Sequence, residues 1–454
     1  MRSLMSSAVL SVSITVVSAA ALALPLAAPA GAATSAARVS AAGVPGSTQS
    51  LRLTPLASSD RSSVATVVGL PQRSVTTFSL VGVVWDDPKA ALDGSAQVRT
   101  RPVGSSTWTG WQNIEIHNDD HAADPGTAEA DAPTVHGSTA PLWVGPSNGV
   151  QLRVQQHKPT SARATVTPLP HGLHLDLVDP GPDPAPQSAA DAPAAGSAAR
   201  ASSEANAGLA PLGATRIPAL RKEATEKALN DATKTTPAPG TMGTAHTTGF
   251  KASFIGPRPD IITRKGWGAD ESIREGSFLY TDTVKAAFIH HTATGNNYTC
   301  AQVPSLLRGI YRYHVKSNGW RDIGYNFAID KCGTIYEGRA GGVAKPVMGA
   351  HTLGFNTDTT GIAVLGTFST ADPPKAVTDA LTDLTAWKLG LTGANPGGKA
   401  TLTSGGGNRY PKGSKVSLDV ISGHRDGFAT ECPGARLYSE LGAIRTASAL
   451  AQGR

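Results

Sequence analysis

The chain has 454 residues, with 40 Lys and Arg against 34 Asp and Glu, a net charge of +6. Aromatic residues make up only 5%, while Gly (49) and Pro (32) are plentiful, which argues against one large core and for two or three smaller units joined by open linkers. The basic excess suits anionic surroundings such as a cell wall, but no dense Lys/Arg run with interleaved aromatics occurs, which sets nucleic acid aside.

The first segment reads as an export signal. Arg2 supplies a positive start, an apolar stretch runs from Ala8 to about Ala28, and Ala30-Gly31-Ala32 is a small-x-small cleavage pattern. Ser, Thr and Pro interrupt the apolar stretch and no basic stop-transfer cluster follows, which favours cleavage after Ala32 over a retained anchor. No later segment is apolar for long enough to span a bilayer, so a secreted or wall-associated monomer without stable membrane insertion is expected. Residues 33–73, rich in Ala, Ser, Gly and Thr, are expected to be poorly ordered.

From 74 to 179 the pattern becomes short alternating runs, such as Thr77-Phe78-Ser79-Leu80-Val81 and Gln151-Leu152-Arg153-Val154, separated by Pro and Gly turns. They predict a small all-β accessory domain, built as a sandwich. Asp119-Asp120-His121 lies within it. That cluster could bind a cation, but on local grounds it reads as a solvated loop. Residues 180–256, rich in Ala, Pro, Ser and Thr, predict an extended linker, with the charge spacing of a short exposed helix over 220–232.

From 257 to 454 the chain is densely patterned. Val284 to Ile289 predicts a buried strand, and Leu306, Ile310 and Tyr313 mark a helix. Lys331-Cys332-Gly333 predicts a hairpin, and Gly361 to Gly366 another buried strand. Val377, Leu381, Leu384 and Trp387 mark a second helix, Val416 to Ile421 a further strand, and Leu437, Leu441 and Ile444 a last helix. Strands alternating with helices predict an α/β domain, a mixed central sheet flanked by helices.

Reactive side chains gather at three places here: His290-His291-Thr292, Asp322 to Phe327, and His424-Arg425-Asp426 continuing to Thr430-Glu431-Cys432-Pro433-Gly434. Imidazole and thiolate are zinc ligands, and a hydrolytic site uses three protein ligands with the fourth position left for water. His424 and Cys432 lie eight apart, so a loop must fold back to join them. Pro433 at a first helical position would put Cys432 at the N-cap of the last helix, where the dipole favours thiolate. Neighbours in a strand face opposite ways, so only one of His290 and His291 can face a given pocket, and spacing alone does not say which.

Together with Gly266-Trp267-Gly268, Gly319-Trp320-Arg321-Asp322-Ile323-Gly324-Tyr325-Asn326-Phe327, Ile335-Tyr336-Glu337-Gly338-Arg339 and Gly349-Ala350-His351 with Gly354 and Asn356, these residues resemble the zinc-dependent N-acetylmuramoyl-L-alanine amidases, the family that includes the peptidoglycan recognition proteins. The resemblance implies that fold for 257–454 and peptidoglycan as the partner. It implies Zn2+ held by His290, His424 and Cys432, with His291 left as a packing residue. It implies hydrolysis of the amide between N-acetylmuramic acid and L-alanine. Tyr325 would contact the carbonyl or the attacking water, Thr430 would orient water or oxyanion, and His351 would line the substrate groove. After Arg339 stands Ala340-Gly341, where recognition proteins often carry a bulkier pair that reads the stem peptide. Glu337 and Glu431 are the nearest carboxylates by sequence for a general base, with Glu337 read as structural. The alternative function is peptidoglycan binding without cleavage. Cys300 and Cys332 are expected to form a disulfide, since an exported chain with three cysteines can bridge one pair and leave the third for another task.

Overall fold

A computed structural model describes residues 46–56, 67–116, 120–157, 167–183, 194, 196–234 and 254–454. The signal segment and the cleavage position after Ala32 lie outside these residues. Among the described residues no helix is long and apolar enough to cross a membrane.

The first unit is all-β. Its strands are β1 (Ser47–Arg52), β2 (Thr54–Pro55), β3 (Val67–Trp85), β4 (Gly94–Pro102), β5 (Gln112–Ile114), β6 (Gly137–Ser138), β7 (Leu142–Gln156) and β8 (His174–Asp179). They are hydrogen-bonded into one antiparallel sheet in the order β1-β8-β3-β7-β4-β5, with β2 and β6 added to β3. Register breaks in β3, between Leu70 and Arg73 and again around Phe78, bend this long strand as bulges do. It thereby pairs with β7 along its length and with β8 at its end. Alternate residues Ala96, Val98 and Thr100 of β4 are buried, the period-2 pattern that identified the unit. The segment 33–73, expected to lack order, contributes β1, β2 and the start of β3. Its Ala and Ser content masked the alternation of Leu51 and Leu53, which lie against the core of this unit.

The segment 180–256 is likewise more structured than its composition predicts. It carries α1 (Ala198–Glu204), β9 (Arg216–Ile217) and α2 (Lys222–Lys234). The exposed helix expected over 220–232 is α2. Strand β9 joins the edge of the second sheet, pairing with β10 (Ile261–Ile262). The segment is held to the second unit by specific bonds. Asn206 Nδ2 donates to Glu337 Oε1 at 2.8 Å, and Ser202 Oγ donates to Glu271 Oε2 at 2.9 Å.

The second unit continues with α3 (Arg264–Trp267), β11 (Ala286–His291), α4 (Val303–Arg312), β12 (Phe327–Ile329), β13 (Ile335–Glu337), β14 (Thr359–Val364), α5 (Lys375–Gly390), β15 (Lys399–Thr403), β16 (Lys415–Asp419), β17 (Ile421–Gly423), α6 (His424–Gly427) and α7 (Ala435–Gln452). Its mixed sheet runs β17-β11-β14-β12-β13-β10-β9, with β17, β11, β14 and β12 mutually parallel. The strand expected over 416–421 is divided. β16 forms a separate hairpin with β15, and only β17 enters the main sheet.

Alternation along β14 shows how the sheet is covered. Ile362 and Val364 pack with Val377, Leu381 and Leu384 of α5 and Leu437, Leu441 and Ile444 of α7. Ala363 and the following Leu365 belong to another cluster, with Leu306, Leu307 and Ile310 of α4. That second cluster also contains Leu80, Val84, Trp143 and Val178 from the all-β unit. The two units therefore share a core, and the all-β unit is no loosely tethered accessory. Each large apolar side chain fully buried there contributes about 1.5–3 kcal/mol. Close approach is built in at Gly82, where a Cβ would meet the Tyr313 hydroxyl at 2.1 Å.

Cys300 and Cys332 are bridged, closing a separation of 32 residues between the start of the 303–312 helix and the β12–β13 turn. Replacing both by Ala is expected to lower stability by about 3–4 kcal/mol, the loop-closure value for such a span. Urea unfolding checks it, and a loss below about 1 kcal/mol would show that the bridge constrains little.

Candidate metal centre

The site stands at the carboxyl ends of two adjacent parallel strands. β11 ends in His290 and His291, and β17 runs directly into His424, the first residue of α6. The register Ile289↔Gly423 makes them neighbours. The chain then folds back, as the spacing of eight requires, through a loop in which Arg425 N donates to Cys432 O at 3.0 Å. This loop brings Cys432 Sγ to 3.9 Å from His290 Nδ1 and 3.4 Å from the His291 backbone N–H. Cys432 is not the cap of the last helix. Gly434, at φ +89, occupies the N-cap of α7, so the dipole argument for its thiolate falls away. Burial pushes the Cys432 thiol up, and Asp120 adds to this. A thiolate here calls for a cation beside it.

The two histidines of β11 separate as a strand requires. His290 turns into the cluster, its ring centroid 4.5 Å from that of His424. His291 turns away, and its Nδ1 accepts from Phe368 N at 3.3 Å. Burial lowers the His291 imidazole to about 4 and the His424 imidazole to about 3, so both are neutral at pH 7, the state in which imidazole binds metal. Neither ring nitrogen of His424 has a hydrogen-bond partner, although the residue is fully buried. Such an orphan is costly unless something else fills it, and a metal ion does so. The donor set of two imidazoles and a thiol is one zinc takes.

Tyr325 flanks the cluster, its ring centroid 5.6 Å from that of His290. Burial first, then the nearby Cys432 and Asp120, raise its phenol well above the ordinary value, so it keeps its proton and is a donor. Thr430 lies on the Cys432 loop, where its Oγ1 accepts from Cys432 N at 3.2 Å. His351 is placed differently from the expectation. It is fully buried and its Nδ1 stands 3.3 Å from His290 Nε2. It thus supports His290 from behind and lines no open groove. Orientation of one imidazole by a partner on its far nitrogen is how metal histidines are held.

Neither carboxylate singled out by sequence reaches the cluster. Glu337 is buried between Asn206 and Arg264, with Oε2 accepting from Arg264 N at 3.1 Å, and burial raises its carboxyl to about 7. Glu431 has a side chain 89% exposed and pairs with Arg425. Many of the motif residues prove to be scaffolding. Trp267 Nε1 donates to Glu337 O at 2.7 Å, and Asn326 Nδ2 donates to Val347 O at 2.8 Å. Asn356 Oδ1 accepts from both His351 N and Thr352 N.

The residue that sequence reasoning missed is His121. With His290, His424 and Cys432 it forms a buried group whose candidate ligand atoms all lie within 4.8 Å of one another. Its Nδ1 is 2.8 Å from Asp120 Oδ1, and both residues are buried. The reading of Asp119-Asp120-His121 as a solvated loop therefore fails for Asp120 and His121. Residue 119 lies outside the described residues. Nothing in the local sequence marks the contact, because the partners are more than 160 positions away.

Comparison with known proteins finds relatives for both units. A family model described as N-acetylmuramoyl-L-alanine amidase matches residues 280–435. A second, described as Rv3811 N-terminal galactose-binding domain-like, matches residues 33–194. The chain is 34% identical over 181 residues to peptidoglycan-recognition protein SC2 of Drosophila melanogaster, covering 40% of this chain and 84% of that protein. It is 31% identical over 184 residues to peptidoglycan-recognition protein 1 of Holotrichia diomphalia, covering 40% and 79%. The solved structure of Drosophila PGRP-LB aligns at 29% identity and a TM-score of 0.32, covering 40% of this chain and 91% of that one.

Proposed function

Because the chain belongs to the N-acetylmuramoyl-L-alanine amidase family that includes the peptidoglycan recognition proteins, we propose that it is an exported zinc amidase. Its substrate would be the bond between N-acetylmuramic acid and the L-alanine of peptidoglycan stem peptides. The observation that carries the reading is the convergence of His290, His424 and Cys432, with neither ring nitrogen of the buried His424 hydrogen-bonded and Asp120 Oδ2 standing 3.7 Å from its Nδ1. Relatives named for recognising peptidoglycan support the substrate class. The N-terminal signal pattern and the Cys300–Cys332 bridge support export to an oxidising compartment.

His290, His424 and Cys432 would hold the zinc, which when bound supplies Lewis-acid polarisation of the amide carbonyl and a nucleophile at neutral pH. The protein's own groups do the rest. His351 fixes the His290 ring through its far nitrogen. Tyr325, kept protonated by burial, donates to the oxygen on which charge develops. Thr430 holds the Cys432 loop through the backbone N–H. Glu337, held by Asn206 and Arg264, and the exposed Glu431 are given no part in this reading.

Tyr325→Phe is expected to lower the rate of cleavage by roughly 10²–10³, the cost of one oxyanion donor, with bound zinc unchanged. A phenylalanine variant of full activity would take Tyr325 out of the chemistry. The reaction class is tested by end-group analysis of purified walls. Amide cleavage exposes alanine amino termini and no new reducing sugars. Reducing ends without alanine termini would replace the amidase reading by a glycosidase.

A further inference from the structure

A hydrolytic zinc site leaves one coordination position open, whereas a site with four protein ligands is closed. In this fold a fourth donor is already in place, and it comes from the other unit. His121 Nε2 lies 3.9 Å from Cys432 Sγ, and the His121 ring centroid is 4.5 Å from that of His424 and 5.2 Å from that of His290. Its Nδ1 is engaged by Asp120 Oδ1 at 2.8 Å. That contact donates the Nδ1 proton to the carboxylate and turns the Nε2 lone pair into the cluster, as partner carboxylates do for metal histidines. His121 and Tyr325 are 6% and 5% exposed, and His290 and His424 are 0% exposed. A glycan-linked peptide has no path to such a site while this segment stays in place.

The segment following His121 is fastened along the second unit by polar bonds. Leu353 N donates to Asp120 O at 3.0 Å, and Asp124 Oδ1 accepts from Gly354 N and Asn356 Nδ2 at 2.8 and 2.7 Å. Glu129 takes both terminal nitrogens of Arg339 at 2.7 and 2.9 Å, with both side chains buried. Thr134 Oγ1 donates to Gly319 O at 3.1 Å. A cavity of about 320 Å³ lies within the segment's own fold, lined mostly by residues 121–138 and by Trp85, Pro88 and Lys89, with Trp320 and Leu353 at its edge. The segment is thus seated on the second unit by hydrogen bonds and by the buried Glu129–Arg339 ion pair. Water can replace such contacts when the segment leaves, which it cannot do for a filled apolar interface.

We propose that residues 120–136 form a built-in plug. His121 is a fourth protein ligand that closes the metal site, and Asp124 and Glu129 fasten the segment to Gly354, Asn356 and Arg339 of the second unit. The hydrolase is latent until this segment is withdrawn. The inference rests on the zinc amidase reading for its consequence, but on geometry alone for the ligand.

The test uses the full chain loaded with Co2+, whose visible absorption reports the ligands around the ion. The wild type is compared with His121→Ala and with Glu129→Gln, which loosens the plug without touching the metal. The expected result is a wild-type spectrum indifferent to added azide and a His121→Ala spectrum that shifts on its addition. Glu129→Gln should be intermediate, and both variants should cleave walls at least about tenfold faster than wild type, a shift of ~1.4 kcal/mol in the closed state. Azide-induced change of equal size in the wild type and in both variants would overturn the proposal. If the spectra differ as expected but no protein cleaves walls, the plug stands and the amidase reading falls. If His121→Ala fails to fold, the azide response of Glu129→Gln decides alone: its equality with wild type overturns the plug.

Discussion

Cys432→Ser is expected to abolish zinc retention and wall cleavage together. Cys432 supplies the only thiol of the cluster, since the other two cysteines are bridged, and a serine hydroxyl is a far poorer donor to a borderline-soft ion. Loss of even a hydrogen-bonding partner of a ligand costs 10–100-fold in metal affinity, so loss of the ligand should exceed about 100-fold. Elemental analysis of the dialysed protein should fall from one zinc per chain to background, with cleavage falling in step. Cys432 lies in a loop closed by backbone bonds, Arg425 N to Cys432 O and Gly434 N to Glu431 O, so the fold is expected to persist. Full zinc content in the Cys432→Ser, His121→Ala double variant would remove Cys432 from the ligand set.

The second large effect concerns stability. Arg264 is 1% exposed, and its guanidinium donates to Glu271 Oε1 at 2.7 Å, Asp322 Oδ1 at 3.0 Å and Gly338 O at 2.6 Å. Glu271 is also held by Arg274 at 2.6 Å. Burial by itself raises the Glu271 carboxyl, but the facing Arg264 and Arg274 hold it below its ordinary value. Arg264→Met keeps the volume and removes the charge, leaving Asp322 without its cation. The expected loss is about 3–5 kcal/mol, the cost of breaking a buried pair from one side. Denaturant midpoints measure it. A loss below about 1 kcal/mol would mean that water or a neighbouring cation replaces Arg264.

The network also explains why some motif residues were legible in the sequence for the wrong reason. Trp267, Asp322 and Asn326 mark the family, yet their bonds are internal. They hold the 257–454 unit in shape around the cluster. The strands β11 and β14 were readable as continuous apolar runs because parallel strands here are buried on both faces, and the helices α4, α5 and α7 because burial on one face leaves a period of 3.6. The choice of His290 over His291 was not readable from spacing and came from the family resemblance. The strand register and the Phe368–His291 bond supply its physical reason.

What escaped the sequence was everything that depends on two distant segments meeting. β1 and β9 are short edge strands in Ala- and Ser-rich stretches, where composition outweighs a few alternating residues. Leu80 lay in a run read as part of a separate accessory domain, but with Trp143 it fills a core shared with α4. His121 is the sharpest case. An isolated Asp-His pair in a loop is ordinarily solvated, and only the arrival of His424 and Cys432 from the far end of the chain makes it part of a site. His351 errs in the opposite sense. The resemblance implied a groove-lining role for it, whereas Gly361 admits its ring with no room for a Cβ and it stands buried behind His290.

Mass spectrometry of muropeptides after incubation with the zinc-loaded chain, wild type and His121→Ala side by side, is the decisive measurement. A latent zinc amidase releases free stem peptides beginning with L-alanine, leaves glycan stripped of peptide, and does so faster in the variant. Intact muropeptides from both proteins, each carrying one zinc per chain, would contradict this reading and leave peptidoglycan binding without cleavage as the function.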